Sequence, residues 1–94
     1  MKLYHAVAFE RGEDGTQLID LGVFGTKTGA NKRIENILKI ARKDFPNANI
    51  SFLSNRHWET DENGQITYEW VADVIPIFLD ISISTQSDGI ENVV

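Results

Sequence analysis

The chain has 94 residues, 41% of them hydrophobic and 24% charged, with a formal net charge of −5 at pH 7. That is room for one domain with a modest core, in the composition of a folded chain rather than a disordered one. There is no cysteine, which excludes disulfides, thiolate metal sites and cysteine nucleophiles.

The opening residues, MKLYHAVAFERG, lack the continuous apolar run of a signal peptide, and no stretch reaches the roughly 18 apolar residues that span a bilayer. The expectation is a cytoplasmic protein without membrane contact, with a single domain over 1–84 and a flexible tail over 85–94. Charge is unevenly distributed. Residues 27–43 hold Lys27, Lys32, Arg33, Lys39, Arg42 and Lys43 against Glu35 alone, so this segment is +5 and the remaining 77 residues are −10.

In chain order, LYHAVAF (3–9) and LIDLGVF (18–24) are strand-like runs separated by ERGEDGTQ, whose Asp14-Gly15 supplies turn chemistry, and they predict a hairpin. Strict alternation in the second run puts Ile19, Leu21 and Val23 on one face and Leu18, Asp20, Gly22 and Phe24 on the other. In the first run Leu3, His5, Val7 and Phe9 oppose Tyr4, Ala6 and Ala8, and either side could be the core.

After GTKTG the period changes. Ala30, Ile34, Ile37, Leu38, Ala41 and Phe45 fall on one stripe of a helix, predicted over 29–44 with Thr28 as N-cap and an end before Pro46. NISFLSNRHW (49–58) predicts a third strand, Asn63-Gly64 a second hairpin turn, and ITYEWVADV (66–74) a fourth strand with Tyr68 and Trp70 on its core side. Beyond Pro76 the alternation in IFLDISIS is either a bent continuation or a fifth strand. The fold class is therefore α+β: an antiparallel sheet of four to five strands in the order ββαββ, with one helix across one face. Chain direction makes the second and third strands parallel and separated by another strand. One sheet face is left bare, and an exposed edge at the terminal segment suggests a homodimer.

Catalytic signals are few. His5 and His57 are the only histidines, and His57 lies close to Glu59, Asp61 and Glu62. A hydrolase- or nuclease-like site there is the alternative to a surface histidine beside an acidic loop. Serine-nucleophile motifs are absent, and GTKTGANK lacks the second glycine and lysine of a phosphate-binding loop at the required positions. No metal or cofactor is expected, and the chain does not read as an enzyme.

The remaining signal is the helix. Lys32, Lys39 and Lys43 form a ridge opposite the buried stripe, flanked by Arg33 and Arg42, and such a row can follow an acidic protein groove or the phosphates of RNA or DNA. For nucleic acid, Tyr4 and Trp58 are the candidate stacking residues. Stand-alone acidic α+β chains of this size without a catalytic set are common among phage and mobile-element products that modify or block a host protein. The expected function is thus a protein-binding module, a modulator or inhibitor of a host or other partner protein, with RNA or DNA binding as the alternative.

Overall fold

The computed structural model describes residues 1–79. Strands β1 (Lys2–Gly12) and β2 (Gly15–Phe24) are followed by helix α1 (Lys27–Asp44), then β3 (Asn49–Ser51), β4 (Arg56–Thr60) and β5 (Ile66–Phe78). The five strands make one antiparallel sheet in the order β2-β1-β5-β4-β3, and α1 lies across one face, mainly over β1 and β2. This is the expected α+β fold. Residues 80–84 of the run 77–84, expected as a bent continuation or a fifth strand, and the tail at 85–94 lie outside the described residues.

The first hairpin is tighter than the loop expected over 10–17. Pairing continues to Gly12 opposite Gly15, because Glu10 and Gln17 are joined side chain to side chain at 2.6 Å and Gly15 takes a φ of 112°. Strict alternation fails once in β2. A bulge between the pairs Ala6–Gly22 and Val7–Asp20 inserts one residue, and Gly22, at φ 114°, accommodates it. Leu21 and Phe24 therefore share the helix side with Ile19, whereas Val23 joins Leu18 and Asp20 on the opposite face.

The choice of core face in β1 is set by size. Ala6, Ala8 and Ala72 line the sheet beneath Ala30 of α1, and these small side chains let the helix come close enough to bury Ile34 and Leu38 completely. The larger Leu3, Val7 and Phe9 are on the far side. The helix begins two residues before the expected start: Thr26, with extended φ, is the N-cap, and its Oγ1 accepts from the Gly29 N–H at 3.0 Å. Phe45 caps the other end, its N–H bonding Ala41 O at 2.8 Å.

The expected third strand is two. The chain reverses at 52–55, where Asn55 takes a φ of 52° and Ser51 Oγ accepts from the Ser54 N–H at 3.1 Å. This extra reversal makes β5 antiparallel to β1, not parallel to it as four alternating runs would require, while β2 and β3 do end up parallel with three strands between them. The second hairpin turn forms as expected, with Asp61 Oδ1 accepting from the N–H groups of Asn63 and Gln65 and Gly64 at φ 82°. Through Pro76, β5 continues as one strand.

Candidate functional site

The five helix cations do not form one uniform surface. Arg33 points back to the sheet, its Nε donating to Leu21 O at 3.4 Å, and the Arg42 guanidinium sits 4.4 Å from the centre of the Phe52 ring. Both flank residues are thus committed to the fold. Lys32 and Lys39 share a single carboxylate, Glu35, at 3.6 and 3.3 Å, and among the described residues Lys43 has no acid partner. The Lys39 ammonium, and then Lys32, hold the Glu35 carboxyl below its ordinary pKa. Exposed i,i+3 and i,i+4 pairs of this kind contribute no more than about 0.5 kcal/mol each, so they do not lock the lysines away from a partner. A net positive ridge of three lysines remains.

The opposite side of the sheet carries the larger surface. Cross-strand neighbours form rows there: Leu18–Phe9–Val71 and Val23–His5–Ile75, with Val7 between Asp20 and Asp73 in the row separating them. Leu18 is 62% exposed, Phe9 55%, Val23 53% and Ile75 47%, and among the described residues no helix or strand covers them. Nine residues of β1 at about 3.3 Å each, across four strands about 4.8 Å apart, define a face on the order of 500 Å² in projection. The face as a whole is mixed, its exposed apolar side chains lying on both sides of the row Asp20–Val7–Asp73, in which Val7 is itself buried.

Polar pairs lie between and beside the apolar rows. His5 Nε2 and Asp20 Oδ1 are 2.9 Å apart, and this hydrogen bond together with the Gly22 N–H holds the Asp20 carboxyl below its usual range. Glu69 accepts from Arg11 at 2.9 Å and from Arg56 at 2.7 Å, and the Arg56 guanidinium covers the Trp58 ring at 4.2 Å. Trp58 therefore has one ring face already occupied, and Tyr4 is half-buried on the helix side. Neither offers a clear stacking platform. Trp70 and Tyr68 belong to or pack on the core, as their strand position predicts.

His57 is not the surface residue that its acidic neighbours suggest. It is buried beneath the C-terminal half of α1, its ring 5.7 Å from that of Phe45 and 5.3 Å from that of Tyr68, on the margin of a cavity of about 220 Å³. Among the described residues its Nε2 has no hydrogen-bond partner, and Glu59 at 3.9 Å is beyond hydrogen-bonding range. The nearby phenol is also committed: Tyr68 donates to Glu10 at 2.6 Å, and burial followed by that carboxylate pushes its pKa far up. The same hydrogen bond, with that from Gln17, lowers Glu10. A histidine without an aligned carboxylate, beside a phenol that holds its proton, is not arranged for general-base chemistry. Among the described residues no group of three or more potential ligands could hold a metal ion, and no helix is long and apolar enough to cross a membrane.

Comparison with protein-family models, with curated proteins and with solved structures finds no match. Sequence reasoning singled out the basic helix and left the apolar rows unspecified. The signal for them was present: in β1 the bulky Leu3, Val7 and Phe9 alternate with alanines, and a helix packs most closely over the small side.

Proposed function

We propose that the chain is a non-enzymatic protein-binding module that engages a partner protein through its bare sheet face. The observation that carries this reading is the exposure of Leu18, Phe9 and Val71 in one row and of Val23 and Ile75 in another, on either side of the row Asp20–Val7–Asp73, on a face that also carries hydrogen-bonded charges. Exposed apolar side chains interspersed with paired charges match the composition of a non-obligate protein interface. The partner's chemistry follows from the same rows: an apolar protein surface that also carries both signs of charge, able to meet Asp20 and Asp73 on one row and Arg11 on another. In this reading the protein acts by occupying a surface of its partner, the mode of action of a modulator or inhibitor.

The test uses the full chain as bait for proteins of a bacterial lysate, beside the variants Val71→Glu and Ile75→Lys. Both positions are exposed, so the variants keep the wild-type circular dichroism spectrum. The reading expects a defined protein to be retained by the wild type and lost with both variants. Retention that is the same for all three baits, or no specific retention, overturns it.

A second reading is RNA or DNA binding along Lys32, Lys39 and Lys43, favoured by the sharing of one carboxylate between two of these lysines. It relies on the helix side alone, because the remainder of the chain is strongly acidic. A mobility shift at low salt that is lost on triple substitution by Glu supports it. No shift with mixed RNA or duplex DNA removes it.

A further inference from the structure

Along an antiparallel ladder, successive residues aim their N–H and C=O groups alternately to the two sides, so a single known bond sets the direction of every other one. The Ala72 N–H donates to Asn55 O on the β4 side at 2.9 Å. Ala72, Val74, Pro76 and Phe78 therefore aim away from β1, and β4 covers β5 only as far as Val71. That edge is guarded as far as Pro76. The Val74 N–H is taken by Asp73 Oδ1 at 2.8 Å, and Pro76 has no N–H to offer. This is why a proline is tolerated inside a long strand; the terminal run expected to supply a pairing edge continues beyond the described residues.

The edge of β2 is different. Ala72 lies opposite Ala8, so Ala8 aims at β2 while Val7 and Phe9 aim at β5. Their neighbours Asp20 and Leu18, and Thr16 opposite Arg11, consequently point their backbone groups outward. Thr16 to Asp20 contains no proline and no lysine, lies before the bulge, and on the side away from β1 has no strand partner among the described residues. The far edge of the sheet, β3, is only three residues long.

We infer that two copies of this chain join through β2, antiparallel about a two-fold axis at Leu18, to make one continuous ten-stranded sheet. Three features select a second copy over another strand. The outward residues are self-complementary, Thr16 facing Asp20 and Leu18 facing Leu18, which gives about six backbone hydrogen bonds. The row Leu18–Phe9–Val71 meets its own image at the axis, so the apolar face runs unbroken across both copies. The charges also match. In this register Gly15 lies opposite Leu21, which brings the acidic turn Glu13–Asp14 of one copy beside Arg33 of the other, held against Leu21 O. The pairing uses the backbone edge, so it stands apart from the binding reading above, whose face it leaves open and doubles in extent.

The test is the mass of the full chain by sedimentation from micromolar to millimolar concentration. Wild type should be dimeric in the upper part of that range. Leu18→Lys places like charges at the axis, and Thr16→Pro removes an outward N–H; each should weaken the dimer at least about tenfold with an unchanged circular dichroism spectrum. Glu13→Lys with Asp14→Lys should weaken it at low salt and less at high salt. Leu18→Cys supplies the only cysteine of the chain and should form a disulfide-linked dimer under mild oxidation. A monomer throughout the range overturns the inference. So does a dimer that is indifferent to Leu18→Lys and Thr16→Pro but dissociated by Ile75→Lys, since that result would place the contact on the face. The lysate experiment can fail without affecting any of these outcomes.

Discussion

Three leucines provide an internal scale for the architecture. Leu38 is fully buried, Leu18 is 62% exposed and Leu53, at the tip of the β3–β4 turn, is 97% exposed. Substituting each by Ala removes the same atoms from three environments. At Leu38 the lost transfer energy adds to the cavity left between α1 and the alanine floor, for about 3 to 4 kcal/mol. At Leu18 roughly two-fifths of the side chain is covered and no cavity forms, so the cost is about 1 kcal/mol. At Leu53 it should be within about 0.5 kcal/mol of zero. Domains of this size are stabilised by only about 5 to 10 kcal/mol, so Leu38→Ala should shift the urea midpoint by a third or more while Leu53→Ala leaves it in place. Circular dichroism during urea titration, at a concentration low enough to keep the chain monomeric, measures all three. Equal costs at Leu18 and Leu38 would mean that the sheet is covered on both sides, and the reasoning would fail.

His57→Phe removes a buried nitrogen without a partner and retains a ring between Phe45 and Tyr68, so stability should be unchanged or rise by about 1 kcal/mol; a loss of that size would show that the nitrogen has a partner. Glu10 has a folded pKa below its ordinary 4.5, so its contribution to stability is present above that value and is lost as pH falls through the folded pKa. The Tyr68 phenol is raised above its ordinary 10, so its contribution is present below 10 and declines as pH rises further. Tyr68→Phe should therefore flatten both the acid and the alkaline limbs of a stability-versus-pH curve, and a curve parallel to wild type would refute the assigned hydrogen bond. Replacing Lys32, Lys39 and Lys43 by Glu should leave the circular dichroism spectrum intact, because among the described residues their acid partner is Glu35 alone, half-exposed on the helix surface; a loss of helix signal would show that these ion pairs hold the fold.

Element type and order were legible because periodicity and turn residues agree. The alternating runs, the Asn63-Gly64 turn and the 3.6-residue stripe ending before Pro46 all point the same way. Misreadings arose where one residue changes a register. The bulge at Leu21 moves Val23 to the open face, and the positive φ of Asn55 divides the run 49–58 into two strands, reversing the direction of β5. Neither is visible in hydrophobic patterning, since both depend on backbone geometry at residues that also occur in ordinary strands. The site was harder to read. Lysines on an exposed helix face attract attention as charge, while the bare face depends on which side of β1 the helix selects, a matter of side-chain volume rather than hydrophobicity. The acidic neighbours of His57 suggest a surface position, but the fold turns its ring inward.

The central claim is that one helix covers one side of the sheet and leaves the other open for a partner. Methyl relaxation by a soluble paramagnetic chelate, measured by NMR on the full chain, tests it most directly. The account predicts strong relaxation of the Val23, Val71 and Ile75 methyls beside protected methyls of Ile34 and Leu38. Protection of both sets would contradict it, because the sheet would then have no free side to offer.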